Sequence, residues 1–171
     1  MFLSDQDIQQ ALERGEIVIS DFQEANMNPA SYSLTLGPIL YKLKQKEFLD
    51  SRINKQDYEE ITVSPEKGYA LQPGEFLIAR SAEKITLATT IGGILATAGS
   101  RAQQGLDAIQ SSTFMEPGSD NHMALELHNS TQMPILLFPG VRIVKAAFFR
   151  TQTASAYQGR HNDFFRRQGI Y

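Results

Sequence analysis

The chain contains no cysteine and no tryptophan among its 171 residues. Without thiols there is no disulfide framework, no thiolate nucleophile, no iron–sulfur cluster and no cysteine-built zinc site. Histidine is nearly as scarce, with only His122, His128 and His161. His122 and His128 fall in one alternating stretch and would sit roughly 20 Å apart at ~3.3 Å per residue, too far to hold one ion together. Neither H-E-x-x-H nor the zinc nucleobase deaminase signature occurs. A basic surplus is missing as well: 16 Lys+Arg stand against 19 Asp+Glu, a net charge of -3. That balance argues against a broad nucleic-acid or anionic-membrane surface. Apolar runs such as Pro134–Phe138 fall far short of the ~20 residues that span a bilayer. The start, Met1-Phe2-Leu3-Ser4-Asp5-Gln6-Asp7, turns acidic at once, unlike a signal peptide. The expectation is a cytoplasmic protein with neither a nucleic-acid nor a membrane partner.

What is present is ordinary globular material, 42% hydrophobic and 20% charged. One domain over residues 1–171 is expected, since roughly 100–200 residues make one. A short helix opens the chain: Ser4 suits an N-cap, Ile8, Ala11 and Leu12 form one stripe, and Gly15 can end it. Nearly everything after it reads as short strands. Glu16–Ser20, Ser31–Gly37, Phe76–Arg80, Ile91–Thr97, His122–Asn129 and Val141–Phe149 carry strand patterns. Gln72–Glu75, Glu116–Gly118 and Pro139–Gly140 carry Pro-Gly turn chemistry. Residues 42–65 are polar and read as a surface excursion. Repeated strands between such turns predict a mainly β fold, a β-barrel or jelly-roll sandwich, with one short N-terminal helix.

Two stretches hold chemistry. In Met123–His128 a period of two sets Met123, Leu125 and Leu127 on one face and Ala124, Glu126 and His128 on the other. Glu126 is then either a residue of a solvated sheet face or a half-buried general acid/base. The small-residue run Ala98-Gly99-Ser100-Arg101-Ala102-Gln103 fits either a phosphate-cradling turn or a plain surface turn. It is neither a P-loop nor a dinucleotide loop. Glu116, Asp120 and Glu126 are carboxylates able to face a hard cation, but for any one of them a plain surface carboxylate is the favoured reading.

Taken in order, several segments resemble the dCTP deaminase branch of the trimeric dUTPase-like superfamily. Asn28–Gly37 resembles that family's P-A-S-Y-D-L-R-L-G stretch. Leu71–Phe76 resembles its L-x-P-G-E strand entry. Glu116-Pro117-Gly118 with Leu125-Glu126-Leu127-His128-Asn129 resembles its D-P-G…L-E-x-x-N motif. The resemblance implies a distorted jelly roll of the dUTPase type, a homotrimer with active sites between subunits. It implies zinc-independent deamination of dCTP to dUTP and ammonia, with Glu126 as general acid/base and Mg²⁺ carried by the triphosphate. The implied alternatives are dUTP pyrophosphatase or bifunctional activity, and a non-catalytic nucleotide-binding homologue. Its substrate-binding positions fall on Ala98, Gly99, Ser100, Arg101, Ala102, Gln103, Glu116, Ala124, Leu125, Tyr157 and Gln168, with residues 154–171 as an arm closing over the nucleotide.

The family's G-R-S-S-x-A-R-x-G loop is altered here. Ala98 and Gln103 replace its arginines, Gly99 replaces its first serine, and Phe164 stands at the position of a lysine. Arg101, Arg160, Arg166 and Arg167 are the neighbouring candidates to restore charge.

Overall fold

The computed structural model describes residues 1–53 and 55–152, with Ala154, Ser155, Tyr157 and Phe165. Gln168, Phe164, His161 and the arginines 160, 166 and 167 lie outside the described residues. Helix α1 (Asp5–Glu13) forms as its sequence predicts. The Ser4 hydroxyl accepts from the Asp7 N–H, and the Asp7 side chain accepts from the Ser4 N–H, a reciprocal cap. Ile8 and Ala11 are its buried stripe, and Gly15 leaves it at φ 67°.

The strands follow as β1 (Ile17–Ile19), β2 (Met27–Asn28), β3 (Ser31–Leu43), β4 (Tyr58–Thr62), β5 (Tyr69–Leu71), β6 (Phe76–Leu87) and β7 (Ile91–Thr97). A single helical turn, α2 (Gly99–Ala102), precedes β8 (Leu106–Asp107), β9 (Phe114–Met115), β10 (Asp120–Asn129), β11 (Ile135–Leu137) and β12 (Arg142–Arg150). The predicted bounds of β7 hold to the residue. Two expectations are corrected. The excursion at 42–65 contains β4, which pairs with β3 from Ile39↔Thr62 to Leu43↔Tyr58. The run after Thr97, read as a turn, closes one helical turn, in which the N–H groups of Arg101 and Ala102 donate to Ala98 O. Its small residues carry no β-branch to resist that turn.

One sheet runs in the order β8-β10-β6-β3-β12-β7-β9, with β1 added to β6 and β2 and β4 added to β3, while β5 and β11 form a separate pair. Long strands shared between neighbours curl this sheet around a single core. Tyr32, Leu34, Leu40, Leu77, Leu125 and Phe148 are essentially fully buried there. Strand β3 bends where its register against β6 shifts between Leu36 and Leu40, and the register of β10 against β6 shifts between His122 and Ala124. Gly37 sits at that bend because a Cβ there would stand 2.6 Å from the Arg80 carbonyl oxygen. The Pro-Gly turns behave as predicted: Gly74, Gly118 and Gly140 all take positive φ.

Candidate active site

Strand β10 alternates strictly from Met123 onward. Met123, Leu125, Leu127 and Asn129 face the core, while Ala124, Glu126 and His128 stay half-buried on the outer face. The Glu126 carboxylate is not simply solvated. Its Oε2 accepts main-chain N–H bonds from Gln110 at 2.9 Å, Ser111 at 2.7 Å and Ser112 at 3.3 Å. Among the described residues no group bonds to Oε1. The carboxylate is thus fixed by one oxygen and offers the other.

The segment that holds it is itself anchored. Glu126 N donates to Ala108 O at 2.9 Å. Thr97 Oγ1, at the end of β7, accepts from the N–H groups of Ala108 and Ile109 at 2.9 and 3.2 Å. Because Ala98–Gln103 follows Thr97 directly, the small-residue turn and Glu126 share one hydrogen-bonded scaffold. Gly99, Ser100, Ala102 and Gln103 are exposed on it, whereas the Ala98 methyl is buried. Arg101 lies along the turn, its Nε donating to Arg142 O at 3.4 Å and its Nη1 to Gln104 Oε1 at 2.7 Å.

The remaining candidates divide. Leu125 is fully buried, so only its main chain could reach a ligand. Glu116 occupies the turn before β10, and the Tyr157 N–H donates to Pro117 O at 3.2 Å, which sets Tyr157 beside that turn. Gln168 lies outside the described residues. His122 and His128 take separate partners. His122 Nδ1 faces the Ser81 carbonyl at 3.1 Å, which requires the Nδ1–H tautomer, while His128 Nδ1 lies 3.6 Å from Asp107 Oδ2.

Burial, reinforced by the Arg80 charge, holds the His122 imidazole below its usual 6.5. The folded protein then binds fewer protons here than the unfolded chain as pH falls below that value, so His122 lowers stability on acidification and has no effect above it. A proton-titration of the His122 ring by NMR is expected to show a midpoint below 6.5; a midpoint at or above it would contradict this environment.

Sequence reasoning missed the strand pairing around Glu126. Pairing of β10 with β6 sets Ile78 opposite Glu126 and Arg80 opposite Ala124, and pairing of β3 with β6 sets Tyr41 opposite Ile78. Phe76–Arg80 was legible as a strand, but its register against β10 was not, since strand pairing is non-local.

A family model described as dCTP deaminase-like matches residues 2–151. This chain belongs to the dCTP deaminase-like family. A Methanopyrus kandleri protein named "dCTP deaminase, dUMP-forming" is 33% identical over 156 residues, covering 86% of this chain and 81% of its own length. Its namesake from Beutenbergia cavernae is 31% identical over 176 residues, covering 99% and 90%. The solved 2'-deoxycytidine 5'-triphosphate deaminase from Agrobacterium tumefaciens shares the fold at a TM-score of 0.69 and 20% identity, over 88% of this chain. The present chain spans about half of that longer one, 48% of it. A Streptococcus mutans dUTPase superposes at a TM-score of 0.50 with 14% identity, a likeness of fold. The mainly β, dUTPase-like fold expected of a dCTP deaminase relative is therefore the fold observed.

Proposed function

We propose that this chain hydrolyses dCTP with Glu126 as general acid/base. The observation that carries the reading is the Glu126 carboxylate, pinned through Oε2 by three main-chain N–H groups with Oε1 left to work. In this scheme Oε1 takes a proton from water as its oxygen bonds to C4 of cytosine and passes it to N3, then carries the remaining hydroxyl proton to the departing amine. The C4–N bond breaks, ammonia leaves, and a carbonyl remains at C4, giving a uracil nucleotide. Holding the carboxylate rigidly matters because proton transfer demands hydrogen-bond contact with the attacking water.

The relatives named above are called dUMP-forming. That supports a second hydrolysis, in which water attacks phosphorus and pyrophosphate leaves, over release of dUTP. Glu116 at the turn before β10 is the carboxylate we assign to activating that water. Mg²⁺ would neutralise phosphate charge when bound to the nucleotide. We assign the assembly as a homotrimer whose neighbouring subunit completes the site. No described helix is long and apolar enough to cross a membrane, and a cytoplasmic location is part of the proposal.

Incubation with Mg²⁺ and dCTP or dUTP, followed by chromatography, tests this reading. Ammonia and dUMP from dCTP support it, dUTP as end product confines it to deamination, and bound but intact dCTP would overturn it in favour of a non-catalytic homologue. Mass photometry showing a stable monomer would remove the shared site. The altered turn supplies a further expected result. Gly99 has open space around its missing Cβ and Gln103 is exposed, so Gly99→Ser with Gln103→Arg fits without repacking. One added charge-assisted bond to phosphate, about 1.5–3 kcal/mol, should raise kcat/KM roughly 10–100-fold. An unchanged kcat/KM would show that the turn does not meet phosphate.

A further inference from the structure

The segment that supplies the three N–H groups to Glu126 Oε2 runs through residues 108–113 and is neither helix nor strand. Its place is set by its ties to β7. At the far end the Leu95 N–H donates to Thr113 O at 2.7 Å, a main-chain bond that needs no particular side chain. At the near end the tie is a side chain. Thr97 Oγ1 accepts from the N–H groups of Ala108 and Ile109 at 2.9 and 3.2 Å. Ala108 is fully buried, so its N–H relies on that oxygen in place of water. The Ala108 carbonyl in turn accepts from the Glu126 N–H at 2.9 Å. One residue thus joins the Thr97 hydroxyl to the main chain of Glu126, and the amides that follow it take the carboxylate. Thr97 is half-buried, and its branched Cβ restricts the rotamers that place the oxygen. Glycine stands here in the loop pattern this chain resembles, and glycine has no such oxygen.

We propose that Thr97 is a positioning residue, whose hydroxyl oxygen sets the 108–112 segment so that the amides of Gln110, Ser111 and Ser112 hold Glu126 ready for proton transfer. The inference rests on the reading of Glu126 as general acid/base. Thr97 acts through that segment alone, so its effect falls on the rate and not on the grip on substrate. The turn Ala98–Gln103 keeps its own anchors without the hydroxyl: the Ala98 N–H donates to Ile143 O at 2.9 Å, and the N–H groups of Arg101 and Ala102 donate to Ala98 O. A carboxylate displaced by about 1 Å costs up to about a hundredfold in rate.

The test compares the wild-type chain with Thr97→Val, which keeps the shape without the acceptor, and Thr97→Ser, which keeps the oxygen. In Thr97→Val, kcat for dCTP should fall about 10–100-fold while KM stays within about threefold, and Thr97→Ser should recover most of that loss. In a Glu126→Gln background the same Thr97→Val change should cost less than about threefold, because no acid/base is left to position. Hydrogen exchange at the amides of Gln110, Ser111 and Ser112 should quicken about tenfold in Thr97→Val, while exchange at Leu40 and Ile78 in the neighbouring strands holds. An unchanged kcat, a rise in KM alone, or an equal loss in both backgrounds would overturn the proposal. If Thr97→Val does not fold, Thr97→Cys, with its weakly accepting sulfur, decides by the same readouts. A wild-type chain that does not turn over dCTP would remove the reading of Glu126, and the exchange comparison would still decide whether Thr97 holds the segment.

Discussion

Glu126→Gln is expected to slow ammonia release from dCTP by about 10²–10⁴-fold while leaving nucleotide affinity within a few-fold. Gln keeps the length and breadth of the side chain, and its amide oxygen can still accept from the N–H groups of Gln110, Ser111 and Ser112. What it loses is the free carboxylate oxygen that can take up and return a proton. Glu126→Asp should fall nearly as far for a different reason: one methylene shorter, it cannot meet those three donors and the C4-bound water together. Single-turnover ammonia release, read beside dCTP binding by calorimetry, separates the two causes. Deamination at the parental rate in Glu126→Gln would sink the mechanism, and lost binding would mean that the carboxylate grips substrate instead.

Asn129→Ala is expected to cost about 3–5 kcal/mol, lowering Tm by about 10 °C, because several buried groups lose partners at about 1–3 kcal/mol each. Three positions after Glu126 in the same motif, Asn129 faces the other way and is fully buried. Its Nδ2 donates to the carbonyls of Leu71 and Met133 at 2.9 and 2.8 Å, and its Oδ1 accepts from the N–H and hydroxyl of Thr131 at 2.9 and 2.8 Å. It ties the end of β10 to β5 and to the loop before β11. Asn129→Asp should be no milder, since a carboxylate oxygen would then face two carbonyls with no proton to give. Thermal melts at fixed protein concentration check both variants, and a Tm within a degree or two of the parent would assign Asn129 to ligand binding instead.

These two residues show how far the sequence could be read. The period of two in Met123–Asn129 alone put Glu126 and Leu125 on opposite faces, and the structure keeps them there. The sequence could not say whether the outer face was wet, because that depends on Gln110–Ser112, whose amides reach the carboxylate from another part of the chain. The motif resemblance pointed to Glu126, but its letters gave no sign that Asn129 is a buried structural tie. Ala98–Gln103 was legible as a small-residue turn, but its link to Glu126 through Thr97 and Ala108 was not.

By itself the sequence determined the local features: the capped first helix, the Pro-Gly turns with their positive φ, the strand periods and the acidic, cysteine-free character of the chain. Each of these is set by residues within a few positions of one another, where sterics, capping and alternation act directly. Only the tertiary structure decided strand register, the bend at Gly37, the setting of Ile78 opposite Glu126 and of Arg80 opposite Ala124, and the packing of Phe165 against Tyr41 and Ile78. Those depend on which distant segments meet, and a one-residue slip in pairing would turn every side chain of a strand to the opposite face.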